Sequence, residues 1–242
     1  MSTLNLTRYG VLLRYAALFL IAWNVSSVAV AAGKDDPFLI KVLADQLEWQ
    51  NDDSDTKAWD MQAWAGKNWH KLWLYSEGEQ RNGETESENM LTYSAPIAPF
   101  WDVQVGLGRD ITAEANHNWA VVGINGLAPY YFETQAHVLV DSDGTLGVRA
   151  SFEYELLFTQ FLILTPELEI DAYSDNLAEL GLGKGLSSLT AGLRLRYEIR
   201  REFAPYVGVE WDKAYGQTAD YRRTAGEPVS DARFVAGVRI WF

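Results

Sequence analysis

The sequence predicts an all-β fold, an antiparallel transmembrane β-barrel of about 12 strands with short periplasmic turns and longer extracellular loops. Three observations predict it. Apolar and polar residues alternate with period two in segment after segment up to the last residue, Phe242, with no helical pattern between them. No segment after the N-terminal one approaches the roughly 18 consecutive apolar residues of a membrane helix. Mean hydropathy is −0.15 even though the chain holds 10 Trp and 12 Tyr, the balance expected where each lipid-facing residue alternates with a lumen-facing one. A soluble sandwich also alternates, but so many apolar faces would need a second layer to cover them.

The first 31 residues read as a secretory signal. Arg8 and Arg14 supply positive charge, Tyr15 to Trp23 is an apolar core, and Ala29-Val30-Ala31 is a small-x-small cleavage site. Asn24, Ser26 and Ser27 interrupt the apolar run, which argues against an uncleaved anchor. Residues 32–37 then form a short periplasmic segment and residues 38–242 the barrel. Formal charge is −13, and removing two Arg and no acid makes it −15. So acidic a chain is not expected to bind nucleic acid. An exported chain without Cys has neither a disulfide framework nor a thiolate metal site.

The strands follow in order. Strand one lies in Phe38–Gln50, where Lys41 shares the parity of Leu39, Leu43 and Leu47; a bulge is expected there. Strand two, Lys57–Ala65, sets Trp59, Met61, Ala63 and Ala65 outward against Asp60, Gln62 and Trp64. Strand three puts Leu72 and Leu74 opposite Lys71, Trp73, Tyr75 and Glu77, and a polar loop is read over Glu79–Ser87. Strand four, Glu88–Ala95, points Leu91 and Tyr93 outward and ends at a compact Pro-Ile-Ala-Pro turn. In strand five Trp101, Val103, Val105 and Leu107 alternate with Asp102, Gln104, Gly106 and Gly108; a second polar loop is read over Arg109–Asn118. Strand six is Trp119–Leu127, and strand seven sets Val138 and Val140 against Glu133, Gln135, His137 and Leu139.

Ser142-Asp143-Gly144 suits a three-residue hairpin with Gly in the left-handed region. The hairpin over Leu146–Ile170 then supplies strands eight and nine, with a tight bend near Phe158 and Thr159 and charges on one parity only. After a Gly-rich loop at Ser174–Ser187, strand ten carries Leu193 outward and Arg194 and Arg196 inward. Strand eleven carries Val207, Val209 and Trp211 outward against Tyr206, Glu210 and Asp212. A polar loop spans Lys213–Ser230, and strand twelve points Phe234, Ala236, Val238 and Ile240 away from Arg233 and Arg239. Trp59, Trp101, Tyr197 and Trp211, near strand ends, suit the aromatic girdles at the two interfaces.

Twelve strands fall between a filled eight-stranded barrel and an open sixteen-stranded porin. The inward set of Trp64, Trp73, Tyr75, Tyr131, Tyr206 and Trp241 beside many charges predicts a narrow, largely occluded lumen with paired charges. The hairpin at Ser142–Gly144 would pair His137 with Arg149, Gln135 with Ser151 and Glu133 with Glu153. The bend near Thr159 would set Arg149 against Glu167 or Glu169.

Several stretches resemble the outer-membrane copper-resistance protein B family of Gram-negative bacteria. They are DQLEW (45–49), AWDMQAWAG (58–66), LWLYSEGE (72–79), APFWDVQVGLGRD (98–110), WAVVGINGLAPYYFE (119–133), FEYELLFTQFLILTPELE (152–169), GLGKGLSSLTAGLRLRYEIRREFAPYVGVEW (181–211) and the terminal VAGVRIWF. The resemblance implies a copper-binding barrel in the outer-membrane bilayer that expels or sequesters copper ions and works with periplasmic copper-resistance proteins. Many members carry a Met- and His-rich segment before the barrel. Only residues 32–37 lie between Ala31 and Phe38 here, so copper capture by such a segment is not expected.

Enzyme signals are weak, and no enzymatic activity is expected. GLGKGLSS (181–188) lacks the phosphate-loop spacing and a strand-to-helix setting. His70, His117 and His137 are not followed by a Ser at His-x-Ser spacing, as a lipid hydrolase would need. A lipid-modifying enzyme and a passive structural barrel stay open as alternatives to copper handling. If copper binds within the barrel, Cu(I) would want thioether or thiolate, and Met90 is the inward candidate because Met61 faces lipid. Cu(II) accepts imidazole and carboxylate, which points to a site centred on His137 or to an acidic one at Glu133 and Glu153. Those carboxylates lie about 13 Å along the strand from His137 at 3.3 Å per residue, so one ion cannot take all three. The alternative is that His137 only hydrogen-bonds within a charged lumen.

Overall fold

The computed structural model describes residues 36–51 and 56–242. The expected signal at 1–31 and the start of the 32–37 segment lie outside the described residues. Thirteen strand segments form one closed antiparallel sheet: β1 (Leu39–Gln50), β2 (Lys57–Lys67), β3 (His70–Arg81), β4 (Glu84–Ala98), β5 (Trp101–Ile111), β6 (Asn116–Ala128), β7 (Phe132–Val140), β8 (Leu146–Glu153), β9 (Leu156–Leu157), β10 (Leu162–Tyr173), β11 (Gly185–Tyr197), β12 (Phe203–Ala214) and β13 (Ser230–Trp241). β8 and β9 both pair with β10 in one continuous register, interrupted at Tyr154 and Glu155. They are one stave, so the barrel has twelve. It closes where β13 meets β1.

The two faces confirm the period-two reading. Leu107 is 68% exposed, Val207 60% and Phe234 69%, while Gln104 and Thr92 are fully buried. Apolar outside and polar inside reverses the arrangement of a water-soluble protein and matches a sheet bathed in lipid. Staves β10 to β13 run 12 or 13 residues, longer than the ~9–11 that cross a bilayer. Among the described residues no helix is long and apolar enough to cross a membrane. The expected bulge in β1 is present, with the register slipping at Asp45 against both neighbours. The slip moves Glu48 and Gln50 inward after Lys41 and Leu43.

The β7–β8 hairpin has the expected register, pairing His137 with Arg149, Gln135 with Ser151 and Glu133 with Glu153. Gly144 is left-handed there, at φ +86°. The Asp141 carboxylate caps the turn by accepting the N–H groups of Asp143 and Thr145, each at 2.8 Å. Burial pushes this carboxyl up, but those donors and the His117 imidazole outweigh it and hold it below its ordinary range.

Several expectations fail for identifiable reasons. Arg149 faces Asp171, and Glu167 and Glu169 pair with Glu153 and Ser151 instead. The bend is centred on residue 160, with Leu157 opposite Ile163, and such a displacement of the turn shifts the whole ladder. The loop read over Glu79–Ser87 is strand down to a two-residue Asn82-Gly83 turn, at φ 52° and 90°, the tight hairpin geometry for which Asn-Gly is favoured. Period two fades there because strands beyond the bilayer are wet on both faces. The Arg109–Asn118 loop shrinks to residues 112–115 for the same reason. Tyr131 is not a lumen residue; it sits in a turn after β6, 76% exposed and left-handed.

The region expected to be loop after β12 contains a helix, α1 (Gly216–Ala225), closed by left-handed Gly226. Only Thr218 and Ala219 of α1 are buried, so it carries no apolar stripe for a periodicity reading to detect.

Candidate functional site

Inward-facing side chains fill the barrel in connected layers. In one, Tyr75 (β3) accepts Gln104 Nε2 at 2.7 Å and Asn125 Nδ2 at 3.1 Å. Gln104 Oε1 lies 2.8 Å from His137 Nε2, and with the amide so oriented the imidazole N–H donates. Trp73 stacks on Tyr75, with ring centroids 5.5 Å apart. His137 is buried, and Gly123 makes space for it: a Cβ there would lie 2.3 Å from its ring.

A second layer centres on Arg149. Its guanidinium forks onto Asp110 at 3.1 and 2.7 Å, donates to the Tyr173 hydroxyl at 3.1 and 3.0 Å, and pairs with Glu88 at 2.6 Å. Asp110 also accepts the Trp119 indole N–H at 2.7 Å. A third layer gathers Glu48, Glu167 and Glu210 around Arg194 at 3.1, 2.6 and 2.7 Å, and Tyr206 donates to Glu48 at 3.0 Å. In a fourth, Arg239 holds Asp45 at 2.6 Å and Glu155 at 3.2 Å.

Between these layers lies a cavity of about 160 Å³, lined by nine carboxylates against Arg149 and Arg239. All four residues singled out from sequence, His137, Glu133, Glu153 and Met90, line it. They do not form one ligand set. His137 is engaged by Gln104, Glu133 and Glu153 are ladder partners further along β7 and β8, and Met90 leans on the apolar group around Trp119. Among the described residues no three His, Asp or Glu side chains are gathered closely enough to hold an ion.

The expectation that lumen charges are paired holds only in part. Asp45, Glu88 and Glu167 have Arg partners, and Asp171 accepts the Ser188 hydroxyl at 2.7 Å. Asp60, Glu77, Glu133, Glu153 and Glu169 are in no ion pair among the described residues, and Glu153 Oε1 is buried without a hydrogen-bond partner. Sequence reasoning missed Asp60, Glu77 and Glu169 as site residues although their inward parity was readable. Missing was the ladder register of the two consecutive hairpins, which aligns Asp60, Glu77 and Glu88 as direct neighbours on β2, β3 and β4. The imidazoles meet Tyr93, Asp141 and Gln104, none of them a serine.

Comparison with known proteins agrees with this geometry. A family model described as "Copper resistance protein B precursor" matches residues 38–242. The chain is similar to Copper resistance protein B of Escherichia coli, 44% identical over 203 residues, covering 83% of this chain and 69% of that protein. It is also similar to the Copper resistance protein B homolog of Pseudomonas syringae pv. tomato, 42% identical over 202 residues with the same coverage. Among solved structures, the KdgM porin (TM-score 0.52, 14% identity, 84% of this chain and 99% of that one) and the NanC porin (TM-score 0.53, 12% identity, 84% and 99%) share the fold alone. Since the sequence match runs through the entire barrel while the porin likeness is one of shape only, the chain belongs to the copper resistance protein B family of outer-membrane β-barrel proteins.

Proposed function

We propose that this barrel handles copper ions as cargo, taking them into its acidic lumen on the way out of the periplasm or holding them there, without catalysing a reaction. The observation that carries the reading is the cavity wall, with nine carboxylates facing two arginines. Like charges directly opposite on a ladder destabilise a sheet, yet Asp60 faces Glu77, Glu77 faces Glu88, and Glu133 faces Glu153. A mobile cation relieves that repulsion. Carboxylate with an occasional imidazole suits Cu(II), and Met90 is the one thioether on the cavity wall. The carboxylates are spread along the wall, and no tight cage forms among the described residues; such spacing favours weak, exchanging binding. Periplasmic copper-resistance proteins are the expected partners in delivery.

Titration of Cu(II) into the folded wild type, Asp60→Asn/Glu77→Gln, Glu133→Gln/Glu153→Gln and His137→Ala proteins tests the reading. Weaker binding is expected in the two acidic double variants, with a smaller change in His137→Ala, whose Nε2 is already committed. Unchanged affinity in all three would overturn lumenal binding. A deletion strain with normal growth in copper and normal periplasmic copper would point to a passive barrel, and lipid turnover by the pure protein to an enzyme.

A further inference from the structure

The strand connection Ser174–Lys184 is an ordered miniature hairpin. Leu177 and Leu182 exchange backbone hydrogen bonds at 2.8 and 3.1 Å around a single turn of 3₁₀ helix, Ala178–Leu180, which ends at left-handed Gly181. Its three leucines, Leu177, Leu180 and Leu182, pack against Trp119, Val121, Leu139 and Tyr173. Those four residues are buried on the inner wall of β6, β7 and β10, in a lumen whose other side chains are mostly polar. The interior of such barrels is polar, open in porins and plugged by a loop or helix in others; this connection has its apolar residues turned onto the barrel's inner wall.

The hairpin is also tied down from behind. Gly183 N–H donates to Thr218 Oγ1 on α1 at 2.7 Å, and the same hydroxyl lies 2.8 Å from Ser187 Oγ on β11. Beneath it, Trp119 and Tyr173 are both bonded into the Arg149 and Asp110 layer, so apolar contact and charged strut form one continuous obstruction.

We propose that Ser174–Lys184 is a plug that obstructs the outer half of the lumen, with α1 as its latch, and that passage of ions requires the three leucines to leave the Trp119–Tyr173 surface. The plug narrows the lumen for any small ion, so the proposal stands independently of copper. In this conformation the acidic cavity is shielded on its extracellular side along β6, β7 and β10, and release outward is the gated step.

Planar-bilayer conductance in potassium chloride tests it. The wild type should conduct poorly. Leu177→Ser/Leu180→Ser/Leu182→Ser should conduct several-fold better while keeping the heat-modifiable gel mobility of a folded barrel. Thr218→Val keeps the shape of the side chain while removing the hydroxyl that accepts Gly183 N–H and meets Ser187, and so unfastens the latch without touching the leucines. A folded Thr218→Val barrel should conduct better than wild type, and Thr218→Ser, which keeps the hydroxyl, should conduct like wild type. A folded triple-Ser barrel that conducts like wild type would overturn the proposal. So would a folded Thr218→Val barrel that conducts like wild type.

Discussion

Replacing Arg194 with Met should destabilise the barrel by removing the centre of a buried charge network. The guanidinium makes five hydrogen bonds, to Gln46, Glu48 twice, Glu167 and Glu210, between 2.6 and 3.1 Å. Met fills much of the same volume, so the loss is one of charge and hydrogen bonding. Removing one partner of a buried ion pair costs about 3–5 kcal/mol because the other charge is stranded, whereas an exposed pair is worth about 0–1 kcal/mol. The Glu48 side chain is 0% exposed and that of Arg194 7%, which places this network in the first class; Glu167 and Glu210, at 12% and 11%, recover some hydration. The expected loss is therefore near the lower bound, about 3 kcal/mol. Arg194→Lys keeps the charge without the fork and should lose roughly 1–2 kcal/mol. Urea unfolding in lipid micelles, followed by tryptophan fluorescence, measures both. Adding Glu48→Gln to Arg194→Met should restore part of the loss, and acidification toward the carboxylate range should shrink it. A loss below about 0.5 kcal/mol for Arg194→Met, the ordinary surface value, would refute the argument that the cluster is structurally committed.

Three further outcomes follow. Val148→Arg or Leu193→Arg, both on the lipid face, should cost about 2–4 kcal/mol near the bilayer midplane, while Ser151→Arg, which joins the acidic wall, should assemble normally; folding yield in vesicles distinguishes them. Gly123→Val should push the His137 ring off Gln104, since even a Cβ would approach it to 2.3 Å, and lose about 1–3 kcal/mol, read as a lowered unfolding midpoint and a shifted imidazole NMR signal. The depressed Asp141 carboxyl stabilises its turn fully above the ordinary carboxylate value of about 3.9 and loses that stabilisation as pH falls through its lower folded value. Protease nicking of the turn should therefore rise only at strongly acidic pH, and Asp141→Ala should raise it at neutral pH.

The architecture was legible because one physical rule, the alternation of lipid and lumen, operates along every stave. Leu91 and Tyr93, Val105 and Leu107, and Val207 and Val209 announce the outer face by parity alone. The His137–Arg149 pairing was legible because Gly144 fixes a short turn, whereas the neighbouring hairpin was misread because Phe158, Thr159, Gln160 and Phe161 carry no comparable turn residue. Above the membrane the rule stops. The β3–β4 hairpin continues without alternation, and α1 buries two small residues that leave no trace in the pattern. The candidate residues all line the cavity, but the layers joining them depend on side chains from staves far apart in sequence, which no local pattern encodes.

Those layers explain how a cylinder this polar inside keeps its shape. Ladder hydrogen bonds join only neighbouring staves, so by themselves they leave opposite walls uncoupled. Arg149 on β8 reaches Glu88 on β4 and Asp110 on β5; Arg194 on β11 reaches Glu48 on β1; Arg239 on β13 reaches Glu155 beside β9. Each strut couples staves that are not sheet neighbours, and each neutralises acids that would otherwise repel across the lumen. The carboxylates left outside this scheme, Asp60, Glu77, Glu133, Glu153 and Glu169, hold no wall in place. They can be exchanged for amides without dismantling a strut, whereas Glu48 cannot, and this separates the acids that support the barrel from those that the proposed copper handling would use.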